Sequence, residues 1–344
     1  MNTAMGSATP GQAPAHRLSV VIPMYNEVDN CAPLLERMHA ALAHYPHPWE
    51  LILVDDGSTD GTVEALSFLS AEYGSHVRVI ALVRNYKQTA AMQAGLDAAR
   101  GDVIVTMDGD LQNDPEDIPR MVARLLNEHL DLVAGWRKDR KDNWLLRRLP
   151  SKLANRLIAR ATGVRLHDYG CSLKAFRAST IKRVKLYGEM HRFIPAWLTT
   201  VTRPGRIAEE VVNHHPRILG QSKYGLSRTF RVVLDLVSVY FFMRYRSRPG
   251  HFFGGIGIAL GLIGGAILSY LMALKLIYAE SIGTRPLFFL GFFLVIAALQ
   301  MVTTGVLAEI VARVYFESGA SQLYLAHDEG SPPGEQAGWH QPNP

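Results

Sequence analysis

The sequence predicts an α/β chain: a doubly wound sheet in the first two thirds, then a two-helix transmembrane hairpin near the C-terminus. Three observations carry this reading. Between residues 17 and 135, short β-branched runs alternate with stretches of helical periodicity. Residues 252–274 and 286–308 are two spans of 23 residues without one charged side chain. Acidic or amide residues directly follow three of the β-like runs, where open α/β sheets bind their ligands.

The strands come first. Residues 18–23 (LSVVIP), 51–54 (LILV), 77–83 (VRVIALV) and 103–107 (VIVTM) are apolar on both faces, as expected of parallel strands covered by helices. Between them, residues 30–43, 59–73 and 89–100 have helical periodicity, with Ser58 or Thr59 as expected N-caps of the second helix. A chain of 344 residues with 48% hydrophobic and 19% charged residues has ample core for about two domains. Two cysteines, Cys31 and Cys171, exclude a disulfide scaffold and fit no zinc or redox spacing.

The mean hydropathy of +0.04 hides a strong asymmetry, because the apolar residues concentrate in the last quarter. At 1.5 Å rise, each uncharged span is about 34 Å long, enough to cross a ~30 Å hydrocarbon layer. Gly257, Gly261 and Gly265, four apart, predict a small-residue face for close helix packing, which also leaves room for homo-oligomers. Arg228, Arg231, Arg244, Arg246 and Arg248 precede the first span and Arg313 follows the second, against Lys275 and Arg285 in the connection. That bias places the N-terminal region and both termini in the cytoplasm. Residues 1–16 lack the apolar core of a signal peptide, and with 316–344 they read as disordered tails. The segment 226–249 reads as an interfacial amphipathic helix, or alternatively as a buried helix of the soluble part.

The polar chemistry sits after the strands. Pro23, Tyr25, Asn26 and Glu27 follow the first run, Asp55, Asp56, Gly57 and Ser58 the second, and Asp108, Gly109, Asp110, Leu111 and Gln112 the fourth. An acidic pair beside a second acidic strand end supplies hard oxygen ligands suited to Mg²⁺ or Mn²⁺. No Gly-x-Gly-x-x-Gly or Walker loop follows the first strand, so dinucleotide dehydrogenase and P-loop readings fail. A net charge of +5 and a pI near 9.2 favour anionic partners. Ten lysines and arginines lie between residues 137 and 165 against two aspartates, with only Trp136 and Trp144 to stack bases, so nucleic acid is not expected.

The strings VVIPMYNE, VDDGSTDGT, RNYKQTAAMQAG and DGDLQNDPEDIP, in that order, resemble a family 2 inverting glycosyltransferase of the GT-A fold. With DYGCSLKAFR at 168–177, GQSKYG at 220–225 and the two-span tail, the resemblance narrows to the polyprenyl-phosphate branch. That branch includes dolichol-phosphate mannose synthases, bactoprenol glucosyltransferases and undecaprenyl-phosphate formamido-arabinose transferases. It extends from about residue 18 to about 315 and implies a cytoplasmic GT-A domain over 17–225 with a hairpin over 250–315. The expected location is the bacterial inner membrane.

What the resemblance implies is specific by position. Asp108, Asp110 and Gln112 match the metal-binding element; Pro23, Tyr25, Glu27, Asp55 and Asp56 match positions that contact the nucleotide sugar, with Asp108 beside them. Arg137, Arg147 and Ser151 match the acceptor-phosphate site, where an arginine fork suits a phosphate monoester. Asp168 is a candidate for orienting sugar or acceptor, or else a cap or salt-bridge partner of an arginine. Lys223, with Ser222 and Tyr224, matches a late loop that closes on the diphosphate. His191, His214 and His215 lack metal-ligand spacing and read as structural or sugar-contacting.

The implied activity is inverting transfer of one sugar from a nucleotide donor, UDP in preference to GDP, to a membrane polyprenyl phosphate. Asp110, Arg137, Arg147, Ser151 and Asp168 are its expected catalytic set. A processive polysaccharide synthase would need a Q-x-x-R-W element, and the sequence has no Arg-Trp dipeptide. A catalytically silent membrane scaffold is the third possibility, opposed by the intact acidic and arginine positions.

Overall fold

The computed structural model describes residues 14–138, 158–160, 162–216, 239–245 and 248–317. It has two compact units, divided after Arg244. In the first unit, strands β1 (Leu18–Met24), β2 (Trp49–Asp55), β3 (Val77–Ala81), β4 (Val103–Thr106), β5 (Leu132–Trp136), β6 (Lys174–Arg177) and β7 (Ile207–Val211) form one sheet in the order β3-β2-β1-β4-β6-β5-β7. All pairings are parallel except those of β6, which runs antiparallel to both β4 and β5. Helices α1 (Val28–Leu42), α2 (Thr62–Tyr73), α3 (Gln88–Ala98) and α4 (Asp117–Asn127) make the crossovers.

Period-two burial assigns the strand residues to two cores. Val20, Ile22, Leu51, Leu53, Val103 and Val105 pack with Leu34, Leu35 and Met38 of α1, Leu66 of α2 and Met121 and Val122 of α4. Val21, Ile52, Val54 and Ile104 point the other way, toward Met92 and Leu96 of α3 and a cap built from residues 158–207. Short helices α5 (Ala178–Ile181) and α6 (Ile194–Leu198) belong to that cap. The four expected strands and three expected helices are all present, and the doubly wound sheet with it.

Two local expectations are corrected. Ser58 and Thr59 do not cap α2, which begins at Thr62 with Gly61 as N-cap and no side-chain cap bond. They instead tie two strand-end loops together: Asn26 N–H donates to Ser58 Oγ (2.8 Å) and Thr59 N–H to Asn26 Oδ1 (2.9 Å). Residue 16 is not part of a disordered tail either, because His16 is buried and bonds Tyr45 and the Pro14 carbonyl. Of the expected interfacial segment 226–249, residues 226–238 and 246–247 lie outside the described residues. Residues 239–245 are helical; Val239 is buried in the second core, while Tyr240 and Phe242 are exposed.

The second unit consists of α7 (Pro249–Tyr278) and α8 (Pro286–Glu317), two helices long and apolar enough to cross a membrane. Both extend beyond the uncharged spans. Their contact follows a seven-residue rhythm rather than the expected four. A Cβ on Gly257 would meet the Ala298 carbonyl at 3.0 Å, one on Gly264 the Gly291 carbonyl at 2.9 Å, and one on Gly305 the Gly250 carbonyl at 3.4 Å. Gly261 lies at the edge of this seam, and Gly265 meets nothing within 4 Å. The reason is geometric: seven residues are almost two full turns, so Gly250, Gly257 and Gly264 stay on one line down the helix. At the seam's end, Gly250 N–H donates to Glu309 Oε2 (3.2 Å), supplying a side-chain acceptor to the first turn of α7, whose N-cap Arg248 makes no side-chain cap bond.

Gly264→Leu is expected to destabilise the hairpin by about 1–3 kcal/mol through overpacking, whereas Gly265→Leu leaves it unchanged. Thermal unfolding of the detergent-solubilised protein checks this. Equal losses from both substitutions would reject the seven-residue seam.

Candidate active site

The carboxyl ends of β1, β2 and β4 hold the predicted acidic and amide residues together. Asp55, the last residue of β2, is fully buried; its Oδ2 accepts from Ser58 N–H (2.9 Å), while its Oδ1 has no hydrogen-bond partner among the described residues. Asp56 is also buried but is engaged, accepting from Tyr86 N–H at 2.7 Å. The two loops meet closely here. Gly57 has φ +70°, and a Cβ on it would lie 2.4 Å from the Arg84 carbonyl carbon, so only glycine fits. Glu27 opens α1, with its backbone N–H on Thr62 Oγ1 (3.0 Å) and its carboxylate accepting from Asn30. Tyr25 is exposed and Pro23 half-buried.

Beyond β4 the chain turns sharply. Leu111 takes the left-handed conformation (φ +62°) between Asp110 and Gln112, an arrangement disfavoured for a leucine. Its buried side chain is the anchor that holds it. Asp110 Oδ1 accepts from Gln112 N–H (3.2 Å), and Asp108 Oδ1 from Gln88 Nε2 (2.7 Å). Burial, then the Asp110 charge, pushes the Asp108 carboxyl above its ordinary pKa, against a Ser172 hydrogen bond and the charges of Lys174 and Arg137. Two crowded carboxylates and an amide oxygen are the hard donor set that Mg²⁺ or Mn²⁺ takes.

The cationic half lies on the next strands. Arg137, one residue past β5, grips Asp168 with both prongs, Nε–Oδ2 at 2.7 Å and Nη2–Oδ1 at 3.0 Å. Burial lowers the Arg137 pKa, but the Asp168 hydrogen bonds and charge more than reverse this, so it stays charged. Asp168 is therefore the partner of an arginine, the alternative noted for it from the sequence. Arg147, Ser151 and Lys223 lie outside the described residues.

Several residues of this neighbourhood escaped the sequence reading. Lys174 is buried, donates to the Cys171 carbonyl, and has its pKa lowered by burial. Ser172 bonds Asn113 (2.7 Å) as well as Asp108. Gln88 and Thr89 open α3, and Thr89 Oγ1 lies 2.6 Å from His191 Nδ1. The signal available for Lys174 was its place inside an apolar run, SLKAF, where a lysine is costly. His215 is tied to the acidic turn: its backbone N–H bonds the Gln112 carbonyl (2.8 Å) and its ring lies 3.2 Å from Asp114 Oδ2.

Comparison with known proteins establishes the family and the fold. The profile described as glycosyl transferase family 2 matches residues 19–185. A dodecaprenyl-phosphate galacturonate synthase of Rhizobium johnstonii is 58% identical over 309 residues, covering 90% of this chain and 91% of that protein. The chain belongs to family 2 of the glycosyltransferases, in the polyprenyl-phosphate branch. An undecaprenyl-phosphate 4-deoxy-4-formamido-L-arabinose transferase of Shewanella sediminis is 39% identical, with 90% and 92% covered. Among solved structures, mannosyl-3-phosphoglycerate synthase from Rubrobacter xylanophilus superposes with a TM-score of 0.52 at 17% identity, over 66% of this chain and 74% of that one. The glucosyl-3-phosphoglycerate synthase of Mycobacterium tuberculosis, crystallised with Mn²⁺ and UDP-glucose, gives 0.50 at 20% identity, over 65% and 79%. These two share the fold. This glycosyltransferase thus has the GT-A sheet expected from its motifs.

The His191 ring is pushed down to about 4 by burial, then by the charges of Arg192 and Lys174. Its unfolded value of 6.5 is higher, so the unfolded chain binds more protons between those limits and stability falls as pH drops from about 6.5 toward 4. His191→Gln is expected to flatten that decline in a melting-temperature series from pH 7 to pH 4.5. Parallel curves for the two proteins would count against it.

Proposed function

We propose that this glycosyltransferase moves one galacturonate residue from a UDP donor to a polyprenyl phosphate of the bacterial cytoplasmic membrane, with inversion at the anomeric carbon. The observation that carries the reading is the pairing, at one sheet edge, of the Asp108–Asp110 carboxylates with the Arg137–Asp168 clamp: one half suits a metal-bound diphosphate, the other an anionic acceptor. The sugar is taken from the 58% identical relative. The bias of basic residues puts the sheet and both termini on the cytoplasmic side.

The roles follow from what each group can do. Asp108, Asp110 and Gln112 would hold Mg²⁺ or Mn²⁺, which neutralises charge growing on the departing diphosphate. Asp55 has a buried acceptor with no donor among the described residues, suited to a base or ribose N–H or O–H. Asp56, committed to Tyr86 N–H, shapes the loop instead. Arg137, with Arg147 and Ser151, binds the lipid phosphate, and Lys223 the diphosphate.

In the step itself, an acceptor phosphate oxygen forms its bond to the anomeric carbon as the bond to the UDP oxygen breaks and its electron pair leaves with UDP. A phosphate monoester has a second pKa near ~6 and is already ionised at neutral pH. No protein group has to remove a proton, so the chain's work is alignment and charge.

A transfer assay in membranes tests this, using undecaprenyl phosphate, Mn²⁺ and labelled UDP-galacturonate, UDP-glucose and GDP-mannose. Labelled lipid is expected from UDP-galacturonate, falling about 10²-fold or more in Asp110→Ala. Transfer of a neutral sugar alone would overturn the sugar assignment. Retention at the anomeric centre would overturn the single displacement.

A further inference from the structure

Arg137 and Asp168 are held by a third residue that no motif singled out. Glu209 lies on β7, opposite Ala134 of β5 in the parallel register, with its side chain only 10% exposed. Its Oε1 accepts from the backbone N–H groups of His167 (2.7 Å) and Asp168 (2.8 Å), and its Oε2 lies 2.8 Å from His167 Nδ1. The His167 ring stacks on Trp136 at 4.2 Å and 13°. The last residue of β5 and the one after it are thus matched to two successive residues of the loop: Trp136 to His167 by stacking, Arg137 to Asp168 by a fork of hydrogen bonds.

We propose that Glu209 is a positioning residue for the acceptor phosphate, acting through His167 and Asp168 on Arg137; this rests on the acceptor role of Arg137 given above. The physical case is one of pre-organisation. A free arginine side chain samples many rotamers, and binding an anion with it costs that freedom. Asp168 fixes the guanidinium by Nε and Nη2, and among the described residues Nη1 has no hydrogen bond, so that group remains to be used. Asp168 can do this only if its own main chain is fixed. The Glu209 carboxylate does the fixing through two charge-assisted bonds to consecutive amides. The other end of the same loop is pinned independently, by buried Tyr169 donating to the Val164 carbonyl (2.6 Å). Glu209 is itself held, since Arg124 Nη1 donates to its main-chain carbonyl at 2.7 Å.

The test uses the full chain in detergent, with binding of undecaprenyl phosphate and of UDP with Mn²⁺ measured separately, beside the transfer assay. Glu209→Ala is expected to weaken undecaprenyl phosphate binding and raise the acceptor KM on the order of ten- to a hundredfold, leaving UDP affinity within about twofold. Glu209→Gln, which keeps an acceptor for the two amides, is expected to recover most of the loss. In Asp168→Ala, adding Glu209→Ala is expected to cost nothing more, because the two act in series. Equal weakening of lipid and nucleotide binding, or full additivity with Asp168→Ala, would show a merely structural role and overturn the inference. A wild-type chain that binds undecaprenyl phosphate but transfers no sugar would defeat the proposed function while the Glu209 inference stands on binding. A wild-type chain that binds neither ligand would defeat both.

Discussion

The antiparallel insertion of β6 between β4 and β5 is the constraint on which the site depends. Parallel strands all end at one edge of the sheet, so a strand running the other way begins there. The pairing of Thr106 with Lys174 puts the start of β6 beside the end of β4, and the loop that leads into it, residues 167–173, must arrive at the same edge. That loop brings Asp168 to Arg137 and Ser172 to Asp108 and Asn113, and leads directly into the buried Lys174 at the start of β6. Unlike charges are thereby interleaved strand by strand. Asp108 has the charges of Lys174 and Arg137 near it, and Arg137 that of Asp168, in a setting too dry to leave such charges alone.

Residues with strong local signatures were legible in the sequence. Period-two burial in Val20–Val21–Ile22 and Leu51–Ile52–Leu53 repeats the apolar runs directly, and the acidic turn after β4 is visible as three spaced letters. What escaped depends on partners distant in sequence. Strand β6 has four residues, one of them a lysine, and its existence is decided by two neighbours far away along the chain. Ser58 looks like a helix cap because a serine before a helix usually is one; here an adjacent strand-end loop outcompetes α2 for it. Glycines four apart in α7 fit a known packing pattern, yet the partner helix selects those seven apart. The ion pair of Asp168 was legible only as an alternative, since spacing shows a carboxylate and an arginine but not their meeting.

The comparisons and the geometry constrain different things. Relatives covering nine tenths of the chain establish the family, and solved structures at about one fifth identity establish only the sheet. The polar network supplies what neither gives, namely a separation of duties among neighbouring carboxylates. Asp56 and Asp114 are occupied by protein donors, Asp168 pairs with an arginine, and one Asp55 oxygen has no donor among the described residues. Identical residue types in adjacent positions are thus assigned different work by which hydrogen bonds the fold has already filled.

The bond from Gly250 N–H to Glu309 has a bearing on how the hairpin is made. The amide belongs to the first turn of α7 and its acceptor to α8, about sixty residues later in synthesis. When α7 first emerges, the Gly250 amide cannot yet have this acceptor, because the carboxylate of Glu309 has yet to be made. The polar demand of one end of the pair is met only once the second helix has turned back beside the first, so the two spans mature as a single object.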